Sequence, residues 1–299
     1  MKFSVIIPCF NSSATICRAL ESLLKQSCKP YEVLLIDDAS DDFNLLLELV
    51  DEFKNDLTIK VLRNPSNRNG SYSRNRGIDN ASGEYVAFLD SDDSWENDRL
   101  ESAQKIITNT KNDNFIIYGQ FELVRGGTSR VLLPSRGIGQ SELVSEYVFA
   151  AGQQMQTSTF LCPMAVAKKI MFDSALTRHQ DSDFMMRAQA NDIFLIFQNE
   201  KCASYFFNSV DMLSRINSGR VNEKFCLDWL KSKSEFFNSR AVAGYKIIVF
   251  SRILFLQGNK IRAFLMILKS LPKLGINNFI DLVRSKMKIT FGSRFFNVR

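Results

Sequence analysis

The sequence predicts an α/β protein with a mainly parallel sheet covered on both faces, followed by a basic helical region. Three observations predict it. Apolar runs alternate with helical stripes over the first 120 residues, those runs lack a polar face, and beyond Arg220 the pattern is almost wholly helical. Continuous apolar strands separated by helices mark parallel strands buried on both sides.

Ser4–Ile7 is the first strand. In Ser13–Gln26 the residues Ile16, Ala19, Leu20, Leu23 and Leu24 form a helical stripe, opened by capping side chains from Asn11 to Ser13. Val33–Ile36 reads as strand, Phe43–Lys54 as helix, Thr58–Leu62 as strand, Ser73–Ala81 as helix, Glu84–Leu89 as strand, Asn97–Asn109 as helix and Phe115–Tyr118 as strand. The pattern then changes. Gln120–Arg125 and Ser129–Pro134 flank Gly126-Gly127 as an antiparallel hairpin. A helix is expected near Gln140–Phe149, a strand at Thr157–Cys162, a helix at Pro163–Ile170 with proline in its first position, and a helix at Asp181–Ala190. Gly244, Gly258-Asn259, Pro272 and Gly275 punctuate the helical end.

Of 299 residues, 45% are hydrophobic and 23% charged, so one large domain, or a domain with an appendage, has material for a core. The six cysteines are scattered without a CxxC pair, which excludes a disulfide framework or zinc site as the organising principle and indicates a reducing compartment. No secretory leader is expected at the start of the chain, and no apolar run reaches the ~18 residues of a membrane span. A cytoplasmic or peripheral protein is expected. Charge is uneven: residues 225–299 carry 14 basic and 3 acidic side chains, 14 − 3 = +11, leaving 24 − 29 = −5 for residues 1–224. The basic end suits either a packed helical subdomain or an anionic membrane surface. No motif interleaves basic and aromatic residues for nucleic acid, so no nucleic-acid partner is expected.

Pro8-Cys9-Phe10-Asn11, Asp37-Asp38-Ala39-Ser40 and Asp90-Ser91-Asp92-Asp93 each follow a buried strand. In an open parallel sheet ligands bind beyond the carboxyl ends of the strands, so the three segments converge on one crevice. Two carboxylates one residue apart, Asp90 and Asp92, can hold a divalent cation and leave it sites for a nucleotide diphosphate. Asp93 reads as a helix-capping carboxylate ahead of Trp95 or as a member of the metal shell. Arg74 and Asn75 open a helix in this reading, where backbone N–H groups favour anions. Asp181 sits at the start of another helix, whose positive end would keep it ionised as a general base or make it an N-cap.

The segments SVIIPCFN (4–11), LLIDDASDD (34–42), SRNRGI (73–78) and FLDSDDSW (88–95), in this order and spacing, resemble the nucleotide-binding half of the family 2 inverting glycosyltransferases of the GT-A fold. The resemblance is strong over residues 1–110 and reaches about residue 220. It implies a transferase domain over 1–220, with 1–119 the nucleotide half and 120–220 the acceptor half, and a helical region over 221–299. It further implies Pro8 and Phe10 at the nucleotide base, Asp38 at the uracil edge, Arg74 beside the donor, and Asp90 contacting the ribose or a metal-bound water. Asp92 would be the ligand of Mn²⁺ or Mg²⁺ and Asp181, in RHQDSDFMMR (178–187), the catalytic base. Phe10 is equally readable as a core aromatic. Gln180 stands where the family motif has Glu, and His179, Gln180 and Arg215 in VDMLSR are candidate acceptor or diphosphate contacts.

The implied reaction moves a sugar, with inversion, from a nucleotide diphosphate donor such as UDP-Glc, UDP-Gal or UDP-HexNAc to a hydroxyl. The implied acceptor is a polyprenyl-diphosphate-linked bacterial glycan, of O-antigen, lipopolysaccharide or capsule type, at the cytoplasmic face of the inner membrane. Two rivals are a nucleotidyltransferase, which ordinarily has a Gly-rich phosphate loop where this chain has Pro8-Cys9-Phe10-Asn11, and a non-catalytic sugar-nucleotide binder. Retention of Asp38, Asp92 and Asp181 argues against the second.

Overall fold

Strands β1 (Phe3–Cys9), β2 (Glu32–Asp37), β3 (Ile59–Arg63) and β4 (Tyr85–Phe88) form the parallel half of one sheet, ordered β3-β2-β1-β4. The sheet continues through β8 (Leu161–Pro163), β6 (Phe115–Arg125), β9 (Phe194–Phe207) and β5 (Ser94–Trp95), with β7 (Ser129–Leu133) paired to β6 off this path. Pairs β4/β8, β6/β8 and β5/β9 are antiparallel. The computed structural model describes residues 1–126, 129–207 and 222–291.

Val5, Ile6, Ile7, Val33 to Ile36 and Val86 to Leu89 are all fully buried, which is why these strands show no alternation. Helix α1 (Ile16–Leu24) buries the predicted stripe of Ile16, Ala19, Leu20 and Leu23. Helices α2 (Phe43–Asp51), α3 (Asn69–Asn80) and α4 (Arg99–Asn109) complete the alternation. Helix α3 lies against β1 at Gly77, where an added Cβ would sit 2.4 Å from Ile6 Cγ2. Only glycine permits that approach.

Helix α3 starts four residues before the expected Ser73. Asn69, in the left-handed region at φ 75°, turns its Oδ1 to accept from the N–H groups of Ser71 (2.9 Å) and Tyr72 (3.3 Å), so its side chain starts the helix. Arg74 therefore lies within the helix, away from the free N–H groups of its first turn. Strand β9 was not expected: its polar Gln198, Asn199, Glu200 and Lys201 interrupt the apolar pattern. The helix expected over Gln140–Phe149 is a π-helical turn at Glu146–Ala150.

The chain divides into two compact units, Met1–Glu122 with Met155–Phe206, and Leu123–Gln154 with the described residues from Phe207 onward. Leu123–Gln154 groups with the helical end. The cause is aromatic. Phe149 packs against Trp229, Phe237 and Tyr245 at centroid distances of 5.9, 5.5 and 5.2 Å, and Ala150 joins Ala243, Ile247, Leu274 and Leu282. Helices α7 (Glu223–Ser232), α8 (Ser239–Tyr245), α9 (Ser251–Leu256), α10 (Lys260–Leu274) and α11 (Ile276–Phe291) belong to this second unit. No helix among the described residues is long and apolar enough to cross a membrane.

Candidate active site

Because β1 pairs in parallel with both β2 and β4, the segments after all three strands leave the same edge of the sheet. Asp38 N–H donates to the Cys9 carbonyl at 2.8 Å and Leu89 N–H to the Ile6 carbonyl at 3.1 Å, which fixes their relative heights. Phe10, at the end of β1, is 51% exposed and so is not a core aromatic; Pro8 behind it is half-buried. A flat exposed ring directly after a strand's carboxyl end is available for stacking on a base. Cys9 beside it is buried, and burial pushes its thiol up to about 12, so it supplies no thiolate nucleophile.

Asp38 is turned inward. Its Oδ1 accepts from Asn64 Nδ2 (2.7 Å) and Arg68 N–H (2.9 Å), and its Oδ2 from Arg68 N–H (3.0 Å) and Asn69 N–H (2.8 Å). Both oxygens are thus occupied in holding the turn that leads into α3, where the sequence suggested an edge offered to uracil. Asn64 and Arg68, which sequence reasoning did not single out, are its partners.

Arg74 is 6% exposed and bridges the turn after β4 and the start of the next helix, at Gln180. Its Nη2 meets Asp90 Oδ1 at 2.5 Å, its Nη1 meets Gln180 Oε1 at 3.0 Å, and its guanidinium lies 5.3 Å from the Phe172 ring centroid. Asp90 is therefore an ion-pair partner of Arg74. Gln180 Nε2 donates in turn to the Leu176 carbonyl at 2.7 Å, so the amide both accepts and donates within the protein. A Glu at this position would have no donor for that carbonyl.

After α5 (Met164–Ile170), helix α6 (Gln180–Ala190) presents Asp181 in its first turn. One turn on, Phe184 is buried and stacks on Phe172 (4.4 Å) and Phe160 (6.1 Å), which anchors the helix. Burial pushes the Asp181 carboxyl above its ordinary 3.8, against the lowering effects of the Ser182 N–H bond (2.8 Å) and of Arg74, with Asp90 raising it further. The helix end alone suggested an easily ionised group; desolvation outweighs it. Arg74, in contact with Asp90 and with Gln180, the neighbour of Asp181, links the acidic turn to the start of the helix that carries the candidate base. His179 occupies the left-handed position before α6 at φ 64°, and burial, then Arg178, pushes its imidazole well below 6.5, so it is neutral at pH 7. Arg215 lies outside the described residues.

Asp93 neither caps a helix nor faces solvent. It is fully buried, accepting from Ser158 Oγ (2.5 Å), Gln156 Nε2 (3.3 Å) and Phe206 N–H (3.3 Å), and Trp95 after it is in β5. Burial, then Asp90 and Asp92, pushes its carboxyl well up. Ser158 Oγ also accepts from Asp90 N–H at 3.1 Å, so Asp93 braces the turn from beneath. Arg18, another residue the sequence did not flag, donates to the Asp92 carbonyl at 2.8 Å and stacks on Phe206 at 3.9 Å. Asp92 is half-exposed. Among the described residues no group of three or more His, Cys, Asp or Glu side chains stands ready to hold a metal by itself. With Asp90 engaged by Arg74 and Asp93 buried, it is the half-exposed Asp92 whose carboxylate suits a hard cation.

The glycosyl transferase family 2 profile matches residues 4–172, which contain the crevice as far as Phe172. The chain belongs to this family. It is 34% identical over 252 residues to the amylovoran biosynthesis glycosyltransferase AmsB of Erwinia amylovora, covering 82% of each chain. Over 125 residues, 42% of this chain and 47% of the relative, it is 36% identical to the Escherichia coli UDP-Glc:alpha-D-GlcNAc-diphosphoundecaprenol beta-1,3-glucosyltransferase WfgD. In fold it is similar to Staphylococcus aureus TarS residues 1–349 in complex with UDP-GlcNAc, with a TM-score of 0.59 and 20% identity over 97% of this chain and 91% of that one. The family 2 sheet is thus of the GT-A kind, and the protein is a glycosyltransferase of a family that builds bacterial polysaccharides.

Proposed function

We propose that this family 2 enzyme transfers a sugar from a uridine diphosphate donor, with inversion, to a hydroxyl of a polyprenyl-diphosphate-linked glycan during synthesis of a bacterial surface polysaccharide. One observation carries the reading: Arg74 joins Asp90 of the acidic turn to Gln180, the neighbour of Asp181. The donor-holding and proton-accepting groups are thereby held in one rigid arrangement. The role of AmsB in amylovoran biosynthesis supports the polysaccharide, and the GlcNAc-diphosphoundecaprenol acceptor of WfgD supports the lipid-linked acceptor. The UDP-GlcNAc bound to TarS supports a uridine donor.

In this reading the base stacks at Phe10 and Pro8, and the Asp38-braced turn shapes that end of the crevice. Asp181 takes the proton of the acceptor hydroxyl while its oxygen bonds to the anomeric carbon, and the bond from that carbon to the diphosphate oxygen breaks on the opposite face. One displacement inverts the configuration. The raised Asp181 carboxyl suits this work, since a base whose proton affinity lies nearer the operating pH accepts a proton more readily. His179, neutral, and Gln180 stand beside the base toward the acceptor or diphosphate. Asp92 would hold Mn²⁺ or Mg²⁺, which when bound neutralises charge on the departing diphosphate. The reaction belongs at the cytoplasmic face of the inner membrane, where such an acceptor presents its sugar.

The test is release of nucleotide from UDP-Glc, UDP-Gal, UDP-GlcNAc and UDP-GalNAc, each with and without polyprenyl-diphosphate-linked monosaccharides. Acceptor-stimulated release of UDP from one donor supports the reading. Donors that bind without turnover in any combination would return the chain to a sugar-nucleotide binder.

A further inference from the structure

Helix α10 is arranged with its small residues inside and large apolar residues outside. Ala263 and Ser270 are each 4% exposed and Leu274 is buried, whereas Ile261 is 78% exposed, Phe264 60%, and Leu265 and Leu268 each 46%. Residues 261, 264, 265 and 268 follow the spacing i, i+3, i+4, i+7, so they form one stripe along a helix of 15 residues, about 22 Å long. Phe255 and Leu256, at the end of α9, are exposed just before it. A scattered exposed leucine needs no account, but a continuous stripe of large apolar side chains does.

The charges beside the stripe decide what covers it. Helix α10 carries Lys260, Arg262, Lys269 and Lys273 and no acidic residue. Arg262 pairs with Glu223 at 2.7 Å and Lys260 lies over the Phe255 ring at 5.6 Å, while Lys269 and Lys273 are exposed. A second copy of this chain meeting the stripe face to face would set Lys260, Lys269 and Lys273 of each copy against those of the other, Arg262 being answered by Glu223. An anionic lipid surface takes the apolar side chains below its headgroups and answers the cations with phosphates, while lysine stems reach along the interface.

We propose that the outward stripe of α10, Ile261, Phe264, Leu265 and Leu268 with Lys269 and Lys273, docks the protein flat on an anionic bilayer. No helix among the described residues can span one, so the contact is interfacial. The inference rests on this surface alone and is independent of the proposed reaction.

The experiment is co-sedimentation of the full chain with vesicles of phosphatidylglycerol and phosphatidylcholine, 1:1, against phosphatidylcholine alone, at low salt and at 0.5 M salt. Two double variants, Phe264→Ser with Leu268→Ser, and Lys269→Glu with Lys273→Glu, change only exposed side chains. Melting temperature and light scattering are recorded for each. The expected result is binding to the anionic vesicles at least tenfold tighter than to the neutral ones, weakened by salt, and reduced at least tenfold in either variant with melting unchanged. No binding at low salt overturns the proposal, as does equal binding by the apolar double variant. A wild-type dimer that the apolar variant dissociates, without vesicle binding by either, would assign the stripe to a second copy.

Discussion

Arg74 reaches Asp90 at 2.5 Å and Gln180 at 3.0 Å with two different nitrogens, so one buried guanidinium ties the acidic turn after β4 to the helix that carries Asp181. The planar fork makes this possible; an ammonium is a single point and cannot hold both partners in fixed directions.

Arg74→Lys should therefore keep the charge and lose the registration. A misplacement of about 1 Å costs on the order of 10²-fold in rate. The expected result is a fall in kcat of that order with a smaller change in donor KM. An unaltered kcat would show that the bridge does not position the base.

Asp38→Ala takes the acceptor from three donors, Asn64 Nδ2 and the N–H groups of Arg68 and Asn69. Bonds to a charged group are worth roughly 1.5–3 kcal/mol each in favourable cases, and these are not additive. Urea unfolding should show a loss of at least that range, with weaker UDP binding following from the loosened turn. Unchanged stability with lost UDP affinity would instead make Asp38 a direct partner of the base.

Asp92→Asn removes the half-exposed carboxylate assigned to the cation and should leave folding intact, since the replacement is isosteric and the position is half-exposed. Turnover should fall strongly and demand higher Mn²⁺ or Mg²⁺. Wild-type activity that survives chelation, with the variant equally active, would remove the metal from the account.

Asp181 sets an acid limb. Its folded carboxyl is raised above 3.8, so the rate should decline as pH falls through a value higher than that, and Asp181→Asn should abolish the limb. The stability sign follows from the same shift. A raised carboxyl favours the folded state below its unfolded value and disfavours it as the pH rises and the group ionises. Asp181→Asn should then melt at the same or a higher temperature than the wild type at pH 7. A markedly lower melting temperature would mean that the carboxylate supports the fold.

The parallel half of the sheet was legible because Val5 to Ile7, Val33 to Ile36 and Val86 to Leu89 are buried on both faces and show it as unbroken apolar runs. The three turns that follow these strands were legible for the same reason, each standing directly after such a run. What escaped was set by long-range pairing. Strand β9 is polar at its centre and acquires its place from neighbours in the sheet. Arg18 meets Asp92 from 74 positions away, and Ser158 meets Asp93 from 65 away, so no local spacing announces either. Asp93 read as an ordinary cap because its burial is created by Gln156, Ser158 and Phe206, all far along the chain.

The central claim is that Asp181 acts on the acceptor proton and not on the donor. The most direct measurement compares the wild type with Asp181→Asn by titration calorimetry with the UDP-sugar donor and by single-turnover transfer to the acceptor. Donor affinity should stay within about twofold of the wild type while the chemical rate falls by about 10²–10⁴. A collapse of donor affinity, or a rate near that of the wild type, would contradict it.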